Sequence, residues 1–262
     1  MHPALWISKT GLDAAQTDVS VVSNNLANAS TIGFKKDRAV FEDLLYQNIN
    51  QPGGRSSADT ELPSGLMLGA GSKVVATQKT HTQGNLITTD NALDISIQGQ
   101  GFFEIEMPDG SLSYTRNGQF TLNDQGQIVT PGAGFVLQPA ITIPEDADQV
   151  TVAQDGEVSV QLRGEAEPQL VGQINVTNFI NPAGLQPIGQ NLFTETAVSG
   201  APNQGIPGLE GIGSLSQGTL ETSNVNVTEE LVNLIESQRL YEMNSKVISA
   251  VDQMLGQVIQ QL

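Results

Sequence analysis

Histidine and cysteine are the side chains most often used for nucleophilic and metal chemistry. This chain has two histidines, His2 and His81, and no cysteine. The missing thiols remove disulfides, thiolate metal sites and cysteine nucleophiles together. A Ser-His-Asp triad would have to recruit His2 or His81, and no nucleophile-elbow motif precedes a helical pattern. The remaining candidates for acid–base work are carboxylates. Glu104 and Glu106 point to one side of an alternating strand pattern, and Asp146 and Asp148 lie in a loop opened by Pro144. Such pairs act as general acid and base only where a cleft drives their pKa values apart. A solvated strand face and a surface loop do not, so both pairs are read as exposed charge. "DNALD", Asp90 to Asp94, lacks the ligand spacing and glycine of a calcium loop. "GQGFFE" lies inside a hairpin pattern with no helix after it, so its glycines mark a bulge or a tight backbone approach, not a phosphate cradle. No P-loop and no G-x-G-x-x-G is present. The residues support no catalytic set, no metal site and no cofactor.

Composition narrows the classes further. The 262 residues suffice for one large domain or two smaller ones. Acidic residues outnumber basic ones 28 to 11, and between Thr80 and Gln238 the only Lys or Arg residues are Arg116 and Arg163. Such a surface repels phosphate backbones, which excludes nucleic acid as a partner. The first residues, "MHPALWISKTGLDAAQ", lack the basic and apolar regions of a standard secretory signal. No window approaches the ~18 apolar residues of a membrane span, so membrane insertion is not expected. These rules alone give a soluble cytoplasmic protein, although a cysteine-free chain suits export equally well. Aromatic residues make up 5% of the chain, which argues against a deep aromatic core.

Elements that could position any site fall into three parts. Leu5, Leu12, Val19 and Leu26 repeat every seven residues, with Ala15, Val22 and Ala29 on the same side. Pro3 suits a first helical turn. Val227, Leu234, Tyr241, Ile248, Leu255 and Leu262 form a second series of the same period, widened by Leu231, Val251, Val258 and Ile259. Asn226 can cap that helix, with Glu229 three residues on and acidic residues where the helix dipole favours them. Both stripes are narrow, like a coiled-coil seam, and need a partner to be stable. They pack against each other or into neighbouring copies.

Between them the period changes from about 3.5 to 2. Ile95 and Ile97 share a face, as do Phe103, Ile105 and Met107. Asp109-Gly110, Asn117-Gly118, Asp124-Gln-Gly126 and Asp155-Gly156 predict tight turns between strands. Residues 50–71 and 199–218 are rich in Gly, Pro and Ser, and read as linkers or as arms that order against a partner. The predicted fold is α+β. N- and C-terminal helices form a coiled-coil-like inner domain (1–32 and 225–262), a connecting segment with a Gly/Pro/Ser-rich arm spans 33–72, and an inserted antiparallel β-rich domain spans 73–224.

One stretch breaks the helical pattern. In "SNNLANASTIGFKK", Asn24, Asn25 and Asn28 are poor helix formers, Thr31 and Gly33 break the helix, and Phe34, followed by Lys35, anchors the chain as it leaves. This stretch resembles the signature of the bacterial flagellar axial proteins, the family of rod and hook subunits. "ETSNVNVTEELVNLIESQRLYEMNSKVI" is similar to that family's C-terminal signature, and "GQGFFEI" and "YTRNGQF" to its central β motifs. The resemblance spans nearly the whole chain. It implies a structural subunit exported by the flagellar type III apparatus without a cleaved signal, which overturns the cytoplasmic default. Length, and the segment "YQNINQPGGRSSADTELPSGLMLGAG", point within the family to the distal rod. The implied partners are further copies of itself in a hollow helical polymer, the proximal rod proteins, the hook protein, the P-ring and L-ring bushing, the export apparatus and the rod cap. The place implied is the basal body between periplasm and outer membrane. The resemblance gives the two heptad series the role of self-assembly, and Asn24 to Lys35 that of a junction between inner and outer domains. "FEDLL" resembles an export-gate element at Phe41 and Leu45, although a buried face would explain it as well.

Two other readings of the same features stand beside this one. A proximal rod paralogue has a similar size. From a different class, a secreted β-rich adhesin with a coiled-coil stalk would form small autonomous oligomers with stable termini.

Overall fold

Helix α1, Pro3–Ala27, and helix α2, Val227–Gln261, bracket a middle built almost wholly of antiparallel strands. The computed structural model describes residues 3–50, 64–164, 167–209 and 211–261, with the side chains of α2 as far as Gln257. Leu262, the last member of the C-terminal series, lies outside the described residues, as do residues 51–63 of the arm. The chain divides into two compact units. The first holds residues 1–27, 37–78 and 226–262, and the second holds 28–36 and 79–225.

In the first unit the two helices pack antiparallel, and the seam is not the apolar series. The buried side chains of α1 are Ser8, Ala15, Val22 and Asn25; those of α2 include Glu230, Ser237 and Val251. Asn25 Nδ2 donates to Glu230 Oε2 at 3.3 Å, and seven residues on Ser237 Oγ donates to Asp18 Oδ2. A further seven residues on, Gly11 faces Asn244 so closely that a Cβ there would sit 2.8 Å from Nδ2. Small and polar residues thus line the closest approach. Leu5, Leu12, Val19, Leu26, Leu234 and Ile248 are only half-buried beside it, and Val227, Tyr241 and Leu255 are exposed. The physical reason is distance: helices approach closely only where side chains are small, which pushes the large apolar residues to the flanks. Asn226 caps α2 through its Oδ1, which accepts from the Thr228 N–H at 3.1 Å. The unit also carries two strand pairs, Asp37–Asp43 with Ser72–Lys79 and Tyr46–Asn50 with Leu66–Gly69.

The second unit is the β domain. Its largest sheet has seven antiparallel strands in the order Gln186–Gly189, Leu192–Thr194, Leu112–Thr115, Phe103–Glu106, Val136–Gln138, Ile128–Val129 and Thr121–Leu122. A three-stranded sheet (Ala147–Val152, Glu157–Leu162, Gln169–Gln173) places Val150 opposite Val160 and Val152 opposite Val158 around the Asp155-Gly156 turn. The alternating residues Ile95, Ile97, Phe103 and Ile105 are all buried in its main core.

Four expectations change. Asn117-Gly118 does not turn a two-residue hairpin. Instead Gly118 O accepts from Ile95 N–H at 3.0 Å, and a Cβ on Gly118 would fall 1.6 Å from Ile95 O. Close backbone approach, not turn geometry, requires glycine there. Glu104 is buried, not solvated, and accepts from Thr177 Oγ1 at 3.1 Å, while Glu106 stays exposed. Residues 199–209 and 211–218 are folded into this unit: Asn203–Gly205 pairs with Val176–Asn178, and Ser214–Gln217 pairs with Ile95–Gln98. Finally, the few aromatics are concentrated. Phe102, Tyr114, Phe179 and Phe193 form a second core cluster with Leu185, and Tyr114 meets Phe179 edge-on at 4.8 Å.

Candidate functional site

The signature stretch divides between the units, and each half closes its own unit. On the first unit's side, Asn25 is buried at the end of α1. Its Nδ2 donates to Asp37 O, and its Oδ1 accepts from Asp37 N–H, both at 2.8 Å. A side-chain amide presents the donor and acceptor pair of a peptide group, so Asn25 serves as one rung of backbone pairing for the strand that starts at Asp37. The same Nδ2 also reaches Glu230, at the start of α2. One asparagine therefore ties three segments of this unit together. Asn24 Nδ2 adds a longer contact to Asp37 Oδ2 at 3.5 Å.

On the second unit's side, Thr31 Oγ1 and N–H bond back to Asn28 at 3.2 and 3.1 Å, forming a turn. Gly33 follows with φ +71°, donating its N–H to Glu221 O at 2.8 Å. A Cβ on Gly33 would lie 2.7 Å from Asn117 N and 2.9 Å from Arg116 C, so the position is closed to any other residue on two counts. Phe34 is buried, with the Lys79 ammonium 5.0 Å from its ring centre.

Lys35 then enters a buried ion cluster. Lys35 Nζ lies 2.5 Å from Glu221 Oε1, and Arg116 Nε lies 2.6 Å from Glu221 Oε2; the three side chains are 2%, 5% and 1% exposed for Lys35, Arg116 and Glu221. Backbone groups complete the shell. Thr82 O accepts from Lys35 Nζ at 2.8 Å, Gly84 N–H donates to Glu221 Oε1 at 2.8 Å, and Arg116 donates to the carbonyls of Ile97, Gly99 and Gly101. Those last two carbonyls belong to "GQGFFE", so its glycines serve close approach: a Cβ on Gly101 would sit 2.2 Å from Val176 Cγ1. Burial is the largest influence on Lys35 and lowers its pKa, offset in part by Glu221. Burial alone would raise Glu221, but the Arg116 and Lys35 cations outweigh it and hold the carboxyl below its ordinary value. Asn224 closes the arrangement. Its Oδ1 accepts from Lys36 N–H at 2.8 Å and its Nδ2 donates to Thr80 O at 2.8 Å, so segments 34–36, 80–82 and 221–224 are bound together.

His81 borders the cluster in a cleft of about 490 Å³, lined also by Lys35, Phe102 and Arg116. It packs edge-on to Phe102 and Phe193 at 5.5 and 5.6 Å. Burial first, then the cations Lys35, Lys79 and Arg116, push its pKa down to about 4. A neutral imidazole wedged between phenyl rings is a packing element. Lys35 and Arg116, which line the cleft, both pair with Glu221.

The junction residues are split between the two units. Asn25 belongs to the helical unit, whereas Asn28, Thr31, Gly33, Phe34 and Lys35 belong to the β unit. Phe41 is 42% and Leu45 89% exposed, which removes the buried-face explanation of "FEDLL". Sequence reasoning missed Glu221, Arg116 and Asn224 as partners of Lys35. The signal was present, since Arg116 is one of two Lys or Arg residues in a long acidic stretch, and an isolated cation there invites a search for its carboxylate.

The helices carry exposed apolar flanks, and buried ions close the β unit. Three family profiles match in chain order: the flagella basal body rod protein over residues 6–35, the flagellar hook protein FlgE/F/G D1 domain over 96–160, and the flagellar basal body rod FlgEFG protein C-terminal over 216–261. Flagellar basal-body rod protein FlgG of Buchnera aphidicola subsp. Acyrthosiphon pisum is 54% identical, covering 99% of this chain and 100% of that protein. FlgG of Caulobacter vibrioides is 49% identical, covering 96% of each, and FlgG of Borreliella burgdorferi 46%, covering 98% and 97%. The chain belongs to the FlgG family of flagellar basal-body rod proteins.

Proposed function

We propose that this chain is the structural subunit of the flagellar distal rod, a hollow helical drive shaft that carries motor torque across the periplasm to the hook. It turns within the P-ring and L-ring bushing and adjoins the proximal rod and the hook protein. It reaches its place through the type III apparatus, guided by Phe41 and Leu45 and assembled under the rod cap. One observation carries the reading: the helices meet largely through small and polar residues, with Val22 and Val251, and leave many of their large apolar side chains exposed. Trp6, Ile7, Val227, Leu231, Tyr241 and Leu255 are each 40–46% exposed. Apolar surface of this extent marks an interaction site. In the polymer, the series Leu5 to Leu26 and Val227 to Leu262 pack against neighbouring subunits, so torque passes through many apolar contacts.

The segment 50–71 stiffens the shaft in this reading. The strands at its base, Tyr46–Asn50 and Leu66–Gly69, form a two-stranded ribbon with Tyr46, Ile49, Met67 and Leu68 exposed. Such a ribbon is marginal alone and gains stability from a covering surface. The test is to purify basal bodies and locate the chain within the rod. Deleting residues 51–63 then yields a rod that bends more under flow. A chain absent from purified rods, with motility intact after its gene is removed, would refute the proposal.

A further inference from the structure

The second unit carries an apolar surface that its fold does not use. Ile180 is 93% and Val198 70% exposed, the two most exposed large apolar residues of that unit. They are not on slack loops. Phe179, next to Ile180, is buried in the aromatic cluster, so the chain turns one side chain inward and projects the next. Asn181 N–H donates to Ser199 O at 3.2 Å, and Asn181 Nδ2 donates to Val198 O at 3.3 Å, joining the two loops. Ser199 is fully buried, and its Oγ accepts from Thr196 N–H at 3.0 Å and donates to Thr196 O at 2.8 Å. A short 3-10 turn, Pro182–Gly184, braces the first loop, and a Cβ on Gly184 would meet Ser199 N at 2.8 Å. Ile180 and Val198 therefore stand on a fixed mount. Rigid anchors lose little entropy when they are buried by a partner.

Charge identifies the partner. The chain carries a formal net charge of −17, yet residues 168–209 contain a single charged side chain, Glu195. Where two copies of so acidic a protein touch, carboxylates in the contact would repel and lose hydration. A carboxylate-poor surface lowers that cost, and residues 168–209 carry Glu195 alone. A cationic partner would be drawn to the acidic faces instead. We infer that the mount bearing Ile180 and Val198 is a contact by which the β unit of one copy holds a second copy of this chain. This deepens the self-assembly proposed above and rests on it.

A photoreactive side chain, which couples to C–H bonds within reach, reports the contact. Benzoylphenylalanine is placed at position 180, or at 198, in cells that build rods, and purified basal bodies are irradiated. The expected product is a homodimer of this chain at both positions. Ile180→Asp should leave the melting temperature of the purified monomer unchanged, because the side chain is already in water. It should reduce the cross-link from position 198 about ten-fold, the loss implied when one large apolar side chain no longer becomes buried. Cross-links to a different protein, or none in rods that contain the chain, would overturn the contact. So would Ile180→Asp rods with undiminished cross-linking. Absence of the chain from purified rods would instead overturn the rod reading, and this contact with it.

Discussion

Glu221→Gln tests the clamp with little change in shape. The substitution keeps the side-chain size and an acceptor oxygen but removes the charge that two cations share. Lys35 and Arg116, at 2% and 5% exposed, would then lie buried with no counterion. Breaking a buried pair in this way costs about 3–5 kcal/mol, because the uncompensated charge stays out of water. A natural domain has about 5–15 kcal/mol in total, so the loss is a large fraction of what holds the β unit. For a domain of this size it corresponds to a melting shift of roughly 6–20 °C. Calorimetry reads that shift, and hydrogen exchange locates it: amides of Ile95 to Ile105 should lose protection while those of α1 and α2 do not. A second variant separates charge from shape. Lys35→Met added to Glu221→Gln removes one unpaired cation, so the double variant should be more stable than Glu221→Gln alone. Single effects that add within about 0.5 kcal/mol, or a shift below about 2 °C, would refute the view that the three charges act as a unit.

Three further outcomes follow from the same geometry. His81 has a folded pKa of about 4 against 6.5 unfolded, so its neutral form contributes stability that is complete above pH 6.5 and lost as pH falls toward 4. Urea denaturation should show about 2 kcal/mol less stability at pH 5 than at pH 7.5 from this group, and His81→Phe should flatten that part of the profile. Gly33→Ala meets a positive φ and the backbone of Asn117 together, and should cost at least about 2 kcal/mol, read as a lower urea midpoint of the purified chain. Asn25→Ala strands both peptide groups of Asp37 and should cost about 1–3 kcal/mol, with raised exchange at Asp37 N–H as its mark.

Legibility in the sequence followed locality. The two helices, the Asp155-Gly156 hairpin and the buried face of Phe103 and Ile105 are written in periodicity and turn chemistry, which are properties of neighbouring residues. Asn117-Gly118 carries the same local signature as a hairpin turn and is something else. Its glycine is demanded by Ile95, more than twenty positions away in sequence, and no local pattern records that. Glu104 failed for the same reason: alternation places it opposite Phe103 and Ile105, but burial by Thr177 depends on which strand crosses next. Residues 199–218 looked like linker because Gly and Pro dominate them. Their backbone pairs with distant strands, and backbone pairing asks little of side chains.

The junction shows how composition misleads when a residue's partner is a peptide group. Asn25 weakens α1 by propensity, at a cost of up to about 0.7 kcal/mol. It recovers more than that by pairing with both polar groups of Asp37 and by reaching Glu230. The asparagine is a poor residue for the helix it ends and a well-matched one for the strand that begins beside it. Gly33 and Lys35 extend the reasoning to the β unit, where a closed backbone site and a buried charge require glycine and a cation whatever the helix does. Loss of Gly33 or Lys35 is therefore first a loss of folding in the β unit, and any defect in assembly follows from that. The apolar flanks of α1 and α2 behave in the opposite way. They contribute little to the lone chain, so substitutions at Tyr241 or Leu255 should spare the monomer and weaken the polymer. Under the proposed function, stability and assembly rest on separate residue sets, and the two classes of variant would perturb them independently.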